Sequence, residues 1–179
     1  MKVRALFLVA AMMAMSLFAS AQKTATGSQE QMQKEIRHEL NMLPYVNAFD
    51  YMAFKMDGRN VTLVGQVTRP VLKSDAESAV KHVEGVENVD NQIEVLPPSS
   101  QDDRLRIRLF RAIYEYPQLQ KYELGVTKPI RILVKSGHVT LAGVVDNEGD
   151  KNVAGIRAKG VPGIFSVDNQ LQVVSDNKS

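Results

Sequence analysis

Apolar residues in this chain fall at helical spacing, then alternate, then return to helical spacing, and the whole succession occurs twice. Met32, Ile36, Leu40 and Leu43 recur at steps of four, four and three before Pro44, and Leu105, Leu109, Ala112, Ile113 and Tyr116 repeat that stripe before Pro117. Such spacing predicts an amphipathic helix, and a proline disfavours helix at the residue preceding it. Ser28-x-x-Gln31 and Ser100-x-x-Asp103 stand where N-terminal caps belong. Met52, Phe54 and Met56, matched by Ile130, Ile132 and Val134, then alternate as one face of a strand. Asp57-Gly58-Arg59-Asn60 and Lys135-Ser136-Gly137-His138 predict turns, and Val61-x-Leu63-x-Gly65-x-Val67 and Val139-x-Leu141-x-Gly143-x-Val145 predict the returning strands of two hairpins.

Gly65 and Gly143 fall on the inward face of those strands, where close approach of a helix to the sheet is the expected reason for a missing side chain. Ala76, Val80 and Val83, mirrored by Ala154, Ala158 and Val161, predict a second helix that stops at Gly85 or Gly163. A last strand alternates Val89, Asn91, Ile93 and Val95, or Val167, Asn169, Leu171 and Val173. Asn91 and Asn169 lie between inward valines, and a buried amide needs partners, so both are read as structural. The order is α-β-β-α-β. It predicts an α+β fold of two tandem domains, each a three-stranded sheet with two helices on one face and the other face free.

The repeat is close in sequence as well as in pattern. Val61 to Leu96 laid over Val139 to Val174 at a constant offset of 78 matches at 15 of 36 positions. Leu96-Pro97-Pro98-Ser99-Ser100 ends a strand and restarts a helix, which places the domains at 29–96 and 101–174 with a linker at 97–100 and a disordered tail at 175–179. Each is small for a single core, though sufficient.

The N-terminus reads as an export signal over residues 1–21. Lys2 and Arg4 are followed by an uncharged run from Ala5 to Phe18 and by the small-x-small pattern Ala19-Ser20-Ala21, too short an apolar stretch for a comfortable membrane span. The expected product is periplasmic or secreted after cleavage near Ala21, with no transmembrane segment in the mature chain. An exported protein commonly carries disulfides, yet this one has no cysteine, which excludes a disulfide framework, a thiol nucleophile and a lipidated cysteine. Without Lys2 and Arg4 the formal charge is zero, but it is unevenly placed: residues 29–97 hold 11 acids and 7 bases, residues 101–179 hold 9 acids and 12 bases.

The run V-T-L-x-G-x-V, an alanine-bearing helix and then V-x-G-[VI]-x-x-V-D-N-Q-[IL]-x-V resembles the BON domain, named for bacterial OsmY and nodulation proteins. A doubled BON motif behind an export signal is similar to OsmY-like periplasmic proteins and to DolP-like dual-BON outer-membrane lipoproteins, although the lipidation cysteine of the latter is absent. The resemblance implies an α-β-β-α-β fold, an envelope location, and binding of anionic phospholipid or support of envelope integrity under stress. In the DolP-like branch the second domain meets the lipid, in keeping with the basic second copy here. It implies no catalytic residue and no cofactor.

Arg104, Arg108 and Arg111 lie at i, i+4 and i+7 of the second domain's first helix, one row beside the apolar stripe. Such a row suits anionic headgroups, and it reads equally as a solvated helix face partly neutralised by Asp102, Asp103 and Glu115. Phe165 replaces Glu87 of the first copy, a position that must tolerate water, so its ring is expected at a membrane interface or against the other domain or linker. Leu133, Ala142 and Val144 should face away from the helices, which makes Leu133 and Val144 candidates for contact with lipid, the sister domain or a second chain, or ordinary half-exposed surface.

An enzyme is not indicated. His38, His82 and His138 are far apart and lack metal-ligand spacing, Gly155-x-x-x-x-Gly160 lacks the tail of a phosphate loop, and there is no nucleophile elbow. The leading expectation is peripheral binding to anionic phospholipid or envelope proteins, without nucleic acid. The alternatives are a protein-interaction or self-associating module and, less favoured by so few aromatics and no tryptophan, a small-molecule or polysaccharide binder.

Overall fold

The computed structural model describes residues 28–125 and 128–174, so the leader expected over 1–21 and the tail expected over 175–179 lie outside the described residues. The first unit runs α1 (residues 28–42), β1 (Tyr51–Asp57), β2 (Asn60–Val67), α2 (Pro70–Lys81), β3 (Asn88–Asn91) and β4 (Glu94–Val95). The second runs α3 (Ser100–Tyr114), a 3-10 turn at Gln120–Tyr122, β5 (Ile130–Lys135), β6 (His138–Val145), α4 (Glu148–Lys159), β7 (Ser166–Asn169) and β8 (Gln172–Val173). Each unit thus has the expected α+β order.

In each sheet the second strand is central. β1 pairs with β2 antiparallel, and β3 and β4 both pair with β2 parallel, because α2 carries the chain across before it returns in the same direction. β5 to β8 repeat this register for register. The third strand position is split, which makes four strands per sheet. At the break the Asn91 carboxamide oxygen accepts from the Ile93 amide while its nitrogen donates to the Lys73 carbonyl on α2 at 2.8 Å. Asn169 does the same with Leu171 and Lys151. These asparagines tie the helix to the sheet, a structural role.

Two apolar cores result. Met32, Ile36 and Leu40 of α1 meet Leu63, Leu72 and Ile93, while Leu105, Leu109 and Ile113 of α3 meet Ile132, Leu141 and Leu171. Tyr114, fully buried, donates to the Ile130 carbonyl at 2.6 Å and accepts its amide, fixing α3 against β5.

Three local expectations are corrected. The cap of α3 is Ser99, whose hydroxyl accepts from the Asp102 amide, one residue earlier than the Ser100 pattern suggested. Gly65 and Gly143 are not there to admit a helix. Their φ angles are +133° and +109°, and an added Cβ would lie 2.1 Å from the Tyr51 carbonyl oxygen or 1.9 Å from that of Pro129.

Nor is the outer sheet face of the second unit free. Leu133 and Ala142 are buried, and the first unit lies across that side: Gln66 lines a small cavity with Leu133, and Lys135 bonds to Glu94 of β4. Among the described residues no helix is long and apolar enough to cross a membrane.

Candidate functional site

One end of the second unit carries Phe165, and α3 with its arginine row packs beside it. Lys135-Ser136-Gly137-His138 closes the β5-β6 hairpin with Ser136 at φ 51° and Gly137 at φ 77°, the paired left-handed geometry of a tight two-residue turn. Asp102, buried near the start of α3, holds that turn: its carboxylate accepts the amides of Ser136 and Gly137, each at 2.9 Å. Phe165 closes over the same turn. Its amide donates to the Gly137 carbonyl at 2.9 Å, and its ring sits so close above Gly137 that an added Cβ would be 2.7 Å from it.

The first unit shows what was exchanged to make this seat. There the Glu87 amide donates to the Arg59 carbonyl in the same way, and the two side chains form an ion pair at 2.7 Å. In the second unit Gly137 stands for Arg59 and Phe165 for Glu87. A charged pair has become a ring on a bare glycine, 74% exposed, with the His138 ring 5.7 Å from its centre.

The arginine row flanks this end. Arg104, Arg108 and Arg111 are all exposed on α3, and none has an ion-pair partner among the described residues. Arg108 reaches across to the Pro162 carbonyl at 3.1 Å, which brings the middle of the row to the segment that carries the ring three residues later. Arg106 is a different case. It is buried, paired with Asp103 and donating to the Val134 carbonyl at 2.7 Å, and it braces α3 against β5.

Ile107 was not anticipated. It stands at i+3 from Arg104 and i−4 from Arg111, on the outer flank of the row, and is 50% exposed. Position 107 shares the i, i+3, i+4 spacing of the row, so it is legible from the sequence although it lies off the inward stripe. Leu133 and Val144 lie elsewhere. Leu133 lines a small cavity with Lys135, Thr140 and the first unit's Gln66, and offers no surface to lipid; Val144, half-exposed, lines a cleft between the units with Met52 and Arg131.

At this end the Asp102 carboxylate is occupied by two backbone amides, and the His138 Nδ1 lies 2.7 Å from the Ser166 hydroxyl. Among the described residues no cluster of three or more histidines and carboxylates is disposed to hold a metal ion. What the arrangement offers is a cationic rim with two exposed apolar side chains.

No curated protein sequence matches the chain. Among solved structures it is similar to CdsD, a structural protein of the type III secretion system of Chlamydia trachomatis, at 12% identity over 79% of this chain and 91% of that one, with a TM-score of 0.28. It is similar likewise to a structure of the CdsD C-terminal domain, at 14% identity over 79% of this chain and 96% of that one, with the same TM-score. The BON domain family model matches residues 28–97 and 118–175, the second match beginning after α3. Matched in both units and over more than half its length, the chain belongs to the BON domain family.

Proposed function

We propose that this is an exported, non-enzymatic protein, its leader removed near Ala21 and its units spanning 29–96 and 101–174, that binds anionic phospholipid peripherally at the envelope and supports envelope integrity. BON domains are envelope-related modules that bind phospholipid or protein and are generally non-enzymatic. The observation that carries the lipid reading is the end of the second unit, where Phe165 and Ile107 project beside the unpaired Arg104, Arg108 and Arg111. Basic side chains near an anionic surface attract it from a distance, and an exposed ring then enters the headgroup layer. Attraction of this kind is screened by salt.

Cosedimentation of the two-unit chain with anionic and with neutral vesicles, each at low and high salt, tests this. Binding to anionic vesicles alone, weakened by salt, is expected. Equal absence of binding to all of them overturns it.

A further inference from the structure

The first unit carries, at the place corresponding to the arginine row, an open groove of the opposite charge. Shifted by 73 residues, the α1 stripe Met32, Ile36, Leu40 and Leu43 lies over the α3 stripe Leu105, Leu109, Ile113 and Tyr116, so Glu35 stands for Arg108 and Gln31 for Arg104. Glu84, after α2, stands for Pro162 at the usual offset of 78. In the second unit Arg108 crosses from α3 to the Pro162 carbonyl and spans the gap. In the first unit Glu35 and Glu84 both line it instead, and the space between α1 and the end of α2 stays open as a cavity of about 1040 Å³.

Its chemistry is one-sided. Glu35, Glu39 and Glu84 line it above a floor that includes Met32 and Val83, and none of the three carboxylates has an ion-pair partner among the described residues. The cations at its margin are committed or turned away. Arg59 is held by Glu87 and by the Gly85 carbonyl at 2.7 Å, His82 points its Nδ1 at the Ser78 carbonyl, and Arg37 projects from the opposite side of α1. An acidic groove with an apolar floor calls for a cationic row with an apolar flank. The same chain presents one.

We propose that the α1-α2 groove of the first unit receives the α3 face of the second unit of another copy, so that chains associate head to tail. Arg104 and Arg108 are four residues apart, as are Glu35 and Glu39, which gives both rows a pitch of about 6 Å along their helices. Ile107, on the flank of the row, meets the floor at Met32 and Val83. The contact joins two different surfaces and leaves one of each unused at the ends, so it extends rather than closes into a symmetric pair. It also covers the arginine row, so an associated chain has less of that row to offer to any anionic surface.

Sedimentation velocity over a range of concentrations, at low and high salt, reads the association directly and without lipid, so it fails or holds independently of vesicle binding. The wild-type chain is expected to grow in mean mass with concentration at low salt and to dissociate at high salt. Glu35→Lys with Glu39→Lys reverses the groove, and Arg104→Glu with Arg111→Glu reverses the row while sparing Arg108, whose bond to Pro162 belongs to the fold. Each double variant alone should associate about a hundredfold more weakly, since like charges then face each other. An equimolar mixture of the two should regain association, which also shows that both are folded. A wild type that stays single at every concentration, a reversal that leaves association unchanged, or a mixture that remains dissociated each overturns the proposal.

Discussion

The amide of Ile132, on the free edge of β5, donates to the carbonyl of Ala48 at 2.7 Å, and so ties the second unit's sheet to the loop that opens the first unit's own. Arg131 reinforces the tie by donating to the Asn47 carbonyl at 2.7 Å. An unpaired strand edge is a hazard in any small sheet, and here a loop of the sister unit covers it. The next residue, Phe49, sets its ring edge-on to Phe110 at 6.2 Å, and Phe110 lies 4.7 Å from Tyr114. Phe49→Ala should therefore weaken the second unit although the substitution is in the first, by about 2 kcal/mol for a partly buried ring. Urea unfolding should show the loss, and hydrogen exchange at the Ile132 amide should accelerate. Exchange there unchanged from wild type would mean that the loop does not hold the edge.

Asp102 is the residue on which the geometry of the proposed lipid-facing end depends. It is buried, and both its oxygens are occupied by the Ser136 and Gly137 amides. Removing it leaves two amides of a tight turn without their acceptor, a cost of about 2 to 3 kcal/mol for charge-assisted bonds. Asp102→Ala should lower the thermal midpoint and broaden the Gly137 and Phe165 amide signals, while Asp103→Ala, at an exposed carboxylate, should disturb the turn much less.

A second buried carboxylate gives the fold a defined response to acid. Asp150 of α4 stands where the first unit has Leu72, and the longer connection after α3 supplies what the exchange requires: Tyr122 donates to it at 2.6 Å, Gln118 at 2.7 Å and Lys121 at 2.8 Å. Burial pushes the carboxyl upward, but the bonds from Lys121, Tyr122 and Gln118 outweigh it and bring the group from 3.8 down to about 2. Because the folded value lies below the unfolded one, the stabilisation is complete above about pH 4 and is lost as the pH falls toward 2. The Tyr122 phenol moves the other way, from 10 up to about 12, through burial and then the Asp150 carboxylate, so its share is present below pH 10 and lost as the pH climbs through 12. Asp150→Asn should flatten the acid limb of a stability profile. An unchanged acid limb would place the titrating group elsewhere.

The element order was legible because it rests on spacing alone, and the repeat supplied each reading twice. Asn91 and Asn169 were also legible as structural, since an amide between inward valines has to find partners, and both find the same helix carbonyl. What the sequence concealed was set by backbone conformation and by contacts between the units. Gly65 and Gly143 have the same letter whether a helix or a carbonyl crowds them, and only the positive φ decides. Leu133 sits at a half-buried register that predicts either solvent or partner, and the first-unit residues on that side, Gln66 and Glu94, are polar surface letters that do not announce a contact with it. The seat of Phe165 depends on Gly137 being directly beneath it, 28 residues away in sequence.

Gly143→Ala isolates the corrected reading of the strand glycines. The added methyl meets the Pro129 carbonyl oxygen, a backbone atom with little freedom to move, at a φ of +109°. Strain and displacement together should cost on the order of 3 kcal/mol, whereas Gly58→Ala, with nothing within 4 Å of its added Cβ, should cost only the conformational strain of its turn. Equal losses at the two positions would return the explanation to backbone conformation alone.

Attraction and insertion can be separated at the end of the second unit. Each arginine contributes about 1 kcal/mol near an anionic membrane, so Arg104→Gln with Arg111→Gln should weaken vesicle binding about thirtyfold at low salt and flatten its salt dependence. Phe165→Ser and Ile107→Ser remove apolar contact and leave the charge, so they should lower affinity at every salt concentration while the slope stays that of wild type. Neither serine change disturbs the core, because both side chains project outward and Gly137 keeps its turn through Asp102. Measuring binding against log salt for the arginine pair and the serine pair therefore gives two distinguishable signatures. A serine pair that flattens the slope, or an arginine pair that leaves it intact, would mean that this end does not meet the membrane in the proposed way.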